Sequence, residues 1–254
     1  MTPRTHQARD RHRAEHRADI VRTIALAGSC AAFVAVPNLG AVLGEGEETD
    51  RYDTVITPPG YAFTVWAPIF AGCVADTVAQ CRATGRRREA SRRTGWPLAG
   101  AYTLNTLWSL AAQQDRFALT PLLLPTATAL TGVAHRRLQH LQDPPRLTAL
   151  ATGALLGWTA LASTVNLAAA ARLLGAPKAS PAAIAATSAG LSLTTGILAR
   201  YIAGNPRGAT ATATTSAWGL ATTALTPSRP PATRATAAAA TLAVIATAAR
   251  RRRR

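Results

Sequence analysis

Eight stretches of this 254-residue chain contain no Asp, Glu, Lys, Arg or His. They run over Thr23 to Gly44, Thr54 to Ala75, Thr94 to Gln114, Phe117 to Ala134, Leu147 to Ala171, Ala179 to Ala199, Gly208 to Ser228 and Ala235 to Ala249. A helix of about twenty residues spans a hydrocarbon core of about 30 Å. A charge at the centre of such a helix costs about 2.5–3.5 kcal/mol, so exclusion of charge is a physical signature of membrane insertion. A soluble helix needs a polar face with charges every few residues. Here that face would have to be built from Ala and Thr alone, eight times over. The pattern predicts an all-α polytopic membrane bundle of about eight helices. Ala and Thr contribute little to insertion, so the helices should rely on close packing through small residues. The last run is short, and arginines at its ends can snorkel.

The charge outside these runs is one-sided. The formal net charge is +16, from 28 Lys+Arg against 12 Asp+Glu, and Lys178 is the only lysine. With eight spans, both termini share a side. That side collects 22 of the 28 cations: the tails, the link holding Arg82, Arg86, Arg87, Arg88, Arg92 and Arg93, and two further links. Arg51, Arg116, Arg172, Lys178, Arg229 and Arg234 fall on the other. This asymmetry predicts a multi-pass protein of the cell membrane with both termini cytoplasmic. The arginines sit at membrane boundaries without interleaved aromatics, so anionic lipid headgroups are their expected partners and nucleic acid is not. Ala27-Gly28-Ser29-Cys30 loosely resembles a lipoprotein cleavage site, but the apolar run continues past it, so an uncleaved first helix is expected. Cys30, Cys73 and Cys81 have no metal-binding or redox spacing.

The chemistry concentrates in three places. The first external link, Glu45 to Asp53, carries five acids and is read as a solvated loop ending at Tyr52 and Asp53. Pro58 and Pro59 then lead into a helix, where proline costs no hydrogen bond. Phe63, Trp66, Phe70 and Cys73 follow at i, i+3, i+7 and i+10, one helical stripe, with a kink expected at Pro68. In the third run, Asn105, Trp108 and Ser109 share a face, and the amide of Asn105 should turn into the bundle to find a partner. In the fifth, Trp158, Ala162 and Asn166 are spaced by four, with Val165 alongside. Such spacing serves packing as readily as a binding wall.

Three of these landmarks, in order, resemble the tryptophan-rich sensory proteins, the family of the translocator protein TspO. They are Tyr52…Thr57-Pro58-Pro59-Gly60…Trp66, then Leu104-Asn105-x-x-Trp108-Ser109, then Trp158-Thr159-x-x-Ala162-Ser163-x-x-Asn166. The resemblance covers roughly Thr23 to Arg172. It implies a five-helix domain over 23–174 with a pocket for porphyrin, haem or another hydrophobic ligand. Carried over by position, the lining would be Tyr52, Trp66, Asn105, Trp108, Trp158, Ala162 and Asn166. The remaining segments are then a basic tail over 1–22, three additional helices over 175–249 and a basic tail over 250–254. Leu110-Ala111-Ala112 stands where the family carries an aromatic pair. A sterol-type pattern near the end of the fifth helix is absent, so sterol binding is not expected.

If a tetrapyrrole binds, stacking on Trp66 and Trp158 should hold it. All five histidines fall in tails or the fourth link, and Cys73 and Tyr52 are the only axial donors near the pocket. Metal-free porphyrin should therefore bind about as well as haem, and no cofactor is required. Asp76 is read as an interfacial ion pair with Arg82 and Arg86. No nucleophile and base pair up within the runs, so an enzyme is not expected, Trp-assisted porphyrin photochemistry being the one alternative. The reading is a receptor or sensor for a planar hydrophobic molecule, with transport of a small lipophile as the alternative and a homodimer left open. Trp218-Gly219, in the seventh run, is read as packing.

Overall fold

The computed structural model describes residues 3–42 and 52–252, with side chains described for 12–40 and 52–251. Eight long helices appear among them, with no strand. They are α1 (Pro3–Val42), α2 (Trp66–Cys81), α3 (Glu89–Gln113), α4 (Thr120–Gln139), α5 (Arg146–Leu173), α6 (Pro181–Gly204), α7 (Ala209–Leu225) and α8 (Pro231–Arg252). Short 3₁₀ turns, Gly60–Val65 and Phe117–Leu119, lead into α2 and α4. The acidic stretch 45–50 lies outside the described residues.

Six of the eight are long and apolar enough to cross a membrane: all but α3 and α7. The two exceptions have a physical reason. α3 buries Tyr102, Asn105, Thr106 and Ser109 in its interior, and α7 has 17 residues, with Thr212, Thr215, Ser216, Thr222 and Thr223 buried. Their polarity is internal to the bundle. Thr222 and Thr223 donate to the carbonyls of Trp218 and Gly219, each at 2.9 Å, and Thr106 to that of Tyr102 at 2.9 Å. A hydroxyl satisfied one turn back on its own helix carries little penalty away from water.

Successive helices run in opposite directions, and contacts at their ends make this concrete. At the arginine-rich end, Arg92 at the start of α3 pairs with Asp19 of α1 at 2.7 Å. Arg137 at the end of α4 donates to the Arg93 carbonyl at 2.9 Å, and Arg207 before α7 donates to the carbonyls of Leu138 and Gln139 at 3.0 and 3.1 Å. Arg251 of α8 donates to the Ala203 carbonyl near the end of α6. The start of α1 and the end of α8 therefore share one end of the bundle.

α5 is the shared wall. It packs on α2, α4, α6 and α7. One core, with Leu26, Phe33, Ile69, Leu98, Tyr102 and Leu155, fills the space among α1, α2, α3 and α5. A second, with Leu161, Leu191, Leu198, Ile202, Leu220 and Val244, fills the space among α5, α6, α7 and α8. The α5–α7 seam depends on glycine. A Cβ on Gly157 would sit 2.3 Å from the Thr212 carbonyl oxygen, and one on Gly153 would sit 2.6 Å from that of Gly208. Two glycines four apart let the backbones approach. Thr215 and Ser216 then donate across the seam to the carbonyls of Ala154 and Gly157, at 2.9 and 3.2 Å.

Several sequence expectations change. Residues 3–22 are the first turns of α1 rather than a tail, with Asp19 and Arg22 buried. Pro68 sits in the first turn of α2, after a 3₁₀ turn, where its missing N–H costs nothing, so no kink is needed. His135 is inside α4, fully buried, 2.8 Å from the Thr152 hydroxyl. Asp76 is 1% exposed and bound by the neutral Gln80 and Thr148, not by arginine. The three cysteines are free.

The seam yields a prediction. Gly157→Val should destabilise the protein by about 1–3 kcal/mol, the usual cost of overpacking. Gly196→Ala on α6, where a Cβ meets nothing within 4 Å, should leave the melting temperature unchanged or slightly raised. Thermal unfolding of the two variants in detergent checks this.

Candidate ligand pocket

At the end opposite the arginine-rich one, a cavity opens between the entry to α2, α3, α5 and the 3₁₀ turn before α4. It measures about 80 Å³ and is open to the outside. Aromatic rings dominate the wall: Tyr52, Phe63, Trp66, Trp108, Phe117 and Trp158. Leu124, Leu161, Ala162, Val165 and Ala169 supply aliphatic surface, and Asn166 and Thr57 supply polar groups.

Each ring is placed by local structure. The 3₁₀ turn and first turn of α2 carry Phe63 and Trp66 to the cavity. Trp66 stacks on Phe70, with centroids 5.2 Å apart and planes at 18°, and meets Trp158 edge-on at 6.2 Å and 80°. Phe63 also meets Trp158 edge-on, at 5.7 Å and 86°. These are favourable geometries for rings with a quadrupole. Trp158 is 2% exposed, so it forms the back of the cavity, while Trp66 is half-buried. Trp108 on α3 donates its indole N–H to Asn166 Oδ1 on α5 at 2.9 Å, and Asn166 Nδ2 donates to the Ala162 carbonyl at 2.9 Å. This chain of bonds fixes the side wall and leaves Ala162 as the small residue beside it. Tyr52 stacks on Phe117, 4.0 Å apart and 9° from parallel, and its hydroxyl donates to Asp115. Asp115 has φ 57°, the left-handed region that Asp tolerates better than most residues, in the turn ending α3.

Of the seven residues expected by resemblance, Tyr52, Trp66, Trp108, Trp158, Ala162 and Asn166 meet at this cavity. Asn105 does not line it. It is 2% exposed, one turn deeper on α3, and donates to the Ala101 carbonyl at 2.9 Å. Cys73 is fully buried in the core behind Trp66, away from the lining. His135, eleven residues past Leu124 on α4, lies about 16 Å further along the axis. Phe117 was missed, because no periodicity in its own run ties it to Tyr52, 65 residues earlier.

The last three helices reach this site. Trp218 of α7 donates its indole N–H to the Ala62 carbonyl at 2.8 Å and meets Tyr61 edge-on at 6.4 Å. A Cβ on Gly219 would stand 3.1 Å from the Trp158 ring, so α7 backs that tryptophan. Asp53, next to Tyr52, is not a solvated acid. Arg229, before α8, grips its carboxylate with two bonds of 2.7 and 2.8 Å, and Lys178, before α6, pairs at 2.7 Å. Arg172 at the end of α5 donates to the Asp53 backbone carbonyl. Three of the six cations at the cation-poor end thus converge on one residue. Burial alone would raise the Asp53 pKa, but the bonds from Arg229 and Lys178 outweigh it and hold the carboxyl below its usual range.

This cluster predicts a pH dependence. Because folding lowers the Asp53 pKa, its stabilisation is fully present above the unfolded value of about 3.9 and is lost as pH falls through the native one. Asp53→Asn should cost about 1–3 kcal/mol at neutral pH, somewhat less than a fully buried pair because its side chain is 19% exposed. The gap in melting temperature between wild type and variant should narrow as pH falls from 7 to 3. A constant gap across that range would show that the carboxylate charge contributes nothing.

No curated protein and no solved structure matches the chain. The family model described as TSPO-like protein matches residues 20–250, through all three of the last helices as well as the first five. The matched span, the helical bundle and its membrane-length helices agree: the chain is a multi-pass membrane protein that belongs to the TSPO-like family.

Proposed function

We propose that this protein is a receptor for a planar hydrophobic molecule, a tetrapyrrole being the ligand class that suits its cavity best. The observation that carries the reading is the wall itself: six aromatic rings on four separate chain segments around one opening. Such a surface binds through apolar burial and ring contacts. At about 80 Å³ the cavity does not take a whole tetrapyrrole as it stands. The ligand would lie against Trp66 with one edge in the open part of the cleft, or the Tyr52–Phe117 pair would swing aside.

Binding would rest on stacking rather than on ligation of iron. Among the described residues, the lining offers a haem iron the Tyr52 hydroxyl, which is already engaged with Asp115, and places neither a histidine nor a cysteine at the opening. Under the cavity the bundle is filled by Phe33, Leu98, Tyr102 and Leu155, all under 4% exposed. That plug favours a receptor over a transporter, because a transported lipophile would need a path through it. The reading places the arginine-rich end, with both termini, in the cytoplasm, and the cavity at the outer face of the cell membrane.

Titration of protoporphyrin IX into the detergent-purified protein tests the reading through tryptophan quenching. Saturable quenching is expected, equal within about threefold for the iron-free and iron-loaded rings. Trp66→Leu should weaken it at least tenfold, while Trp96→Leu, an exposed tryptophan at the far end of α3, should not. Absence of saturable quenching in the wild type would remove the tetrapyrrole assignment.

A further inference from the structure

A second cavity lies at the arginine-rich end, between the last turn of α2, the link 82–88 and the starts of α3 and α5. It measures about 190 Å³ and is edged by hydroxyl and amide groups. Asp76 forms its floor, 1% exposed. Asp76 Oδ2 accepts from Gln80 Nε2 at 2.8 Å, and Oδ1 accepts from the Thr148 hydroxyl at 2.5 Å. Both partners are neutral. A carboxylate removed from water is costly until a cation meets it, and each oxygen still has room for another donor.

The rim carries the opposite sign. Arg82 and Arg88 line the same cavity and are exposed, and among the described residues neither pairs with a carboxylate. The rim is held in place. A Cβ on Gly85 would fall 1.8 Å from the Ala79 carbonyl oxygen, so the link closes directly on α2. Arg22 of α1 secures it from behind by donating to the Arg86 carbonyl at 2.5 Å. A simple cation would satisfy the floor but be repelled at the rim. A simple anion would meet the reverse. A molecule bearing both charges satisfies both.

We propose that this cavity binds a small zwitterion, its primary ammonium on Asp76 and its phosphate or carboxylate between Arg82 and Arg88. A primary ammonium has three donors for the free lone pairs of Asp76, whereas a quaternary one has none. The guanidiniums provide the forked donors that suit a phosphate. The site lies at the other end of α2 from the aromatic cavity, about 15 Å from Trp66 along the helix, and is independent of it. An aminophospholipid headgroup and a free aminoalkyl phosphate share this chemistry.

Isothermal titration of the full chain in detergent with glycerophosphoethanolamine tests the proposal. Ethanolamine, glycerol 3-phosphate and glycerophosphocholine serve as probes lacking one feature each. Saturable binding of the first is expected, at least tenfold tighter than the other three. Asp76→Asn should weaken it at least tenfold. So should Arg82→Gln with Arg88→Gln, a surface change that leaves the core untouched and covers the case in which Asp76→Asn does not fold. Native mass spectrometry with phosphatidylethanolamine against phosphatidylcholine of matched chains separates the sources. Selective retention of the first assigns a lipid headgroup, and equal retention beside soluble binding assigns a free zwitterion. Binding of neither the soluble probe nor the lipid, or binding that survives both sets of substitutions, overturns the proposal.

Discussion

Asp53 is one carboxylate in the link between α1 and α2, yet segments from across the chain are fastened to it. Arg229 reaches it from the α7–α8 link, Lys178 from the α5–α6 link, and Arg172 holds its carbonyl from the end of α5. Without this charge, those cations would face one another at the end of the bundle where cations are few. With it, the residue beside Tyr52 is fixed, and through Tyr52 so are Phe117 and the mouth of the aromatic cavity. The cluster gives the last three helices a part in the site. They anchor the loop that borders it, while Trp218 and Gly219 support Ala62 and Trp158 from behind.

The same economy runs through the interior. Apolar driving force between helices is absent in lipid, so close packing and internal hydrogen bonds must serve instead. α5 supplies both. Its glycines bring α7 to backbone contact, its Asn166 ties to Trp108, and its Thr148 and Thr152 hold Asp76 and His135. The polar residues that lower the hydropathy of α3 and α7 are turned inward, and the threonine hydroxyls bond one turn back on their own helices. A helix poor in hydrophobicity is tolerated because its neighbours, not the lipid, surround it.

Charge exclusion is a one-dimensional property, so the positions of all eight helices were legible along the chain. The i, i+4 spacing of Trp158, Ala162 and Asn166 marked one cavity wall for the same reason. Pairings across helices left no such trace. Asp53 reads as one more acid in an acidic loop until Arg229 is placed beside it, 176 residues away. Asp76 lies near Arg82 and Arg86 in sequence, but Thr148 and Gln80 reach it first. Histidine counts as a polar break along the sequence, so His135 closes a run there, yet its ring is buried inside α4 against the Thr152 hydroxyl. Gly153 and Gly157 show the small-residue spacing in plain view, but the helix they face is set only by the fold.

The central claim is that the last helices hold the mouth of the cavity through Asp53. Hydrogen exchange of the amides over 54–65 tests it most directly, compared among wild type, Asp53→Arg, Arg229→Asp and the charge swap carrying both. The account predicts faster exchange in each single variant and recovery toward the wild-type rate in the swap. Equal exchange in all four proteins would contradict it.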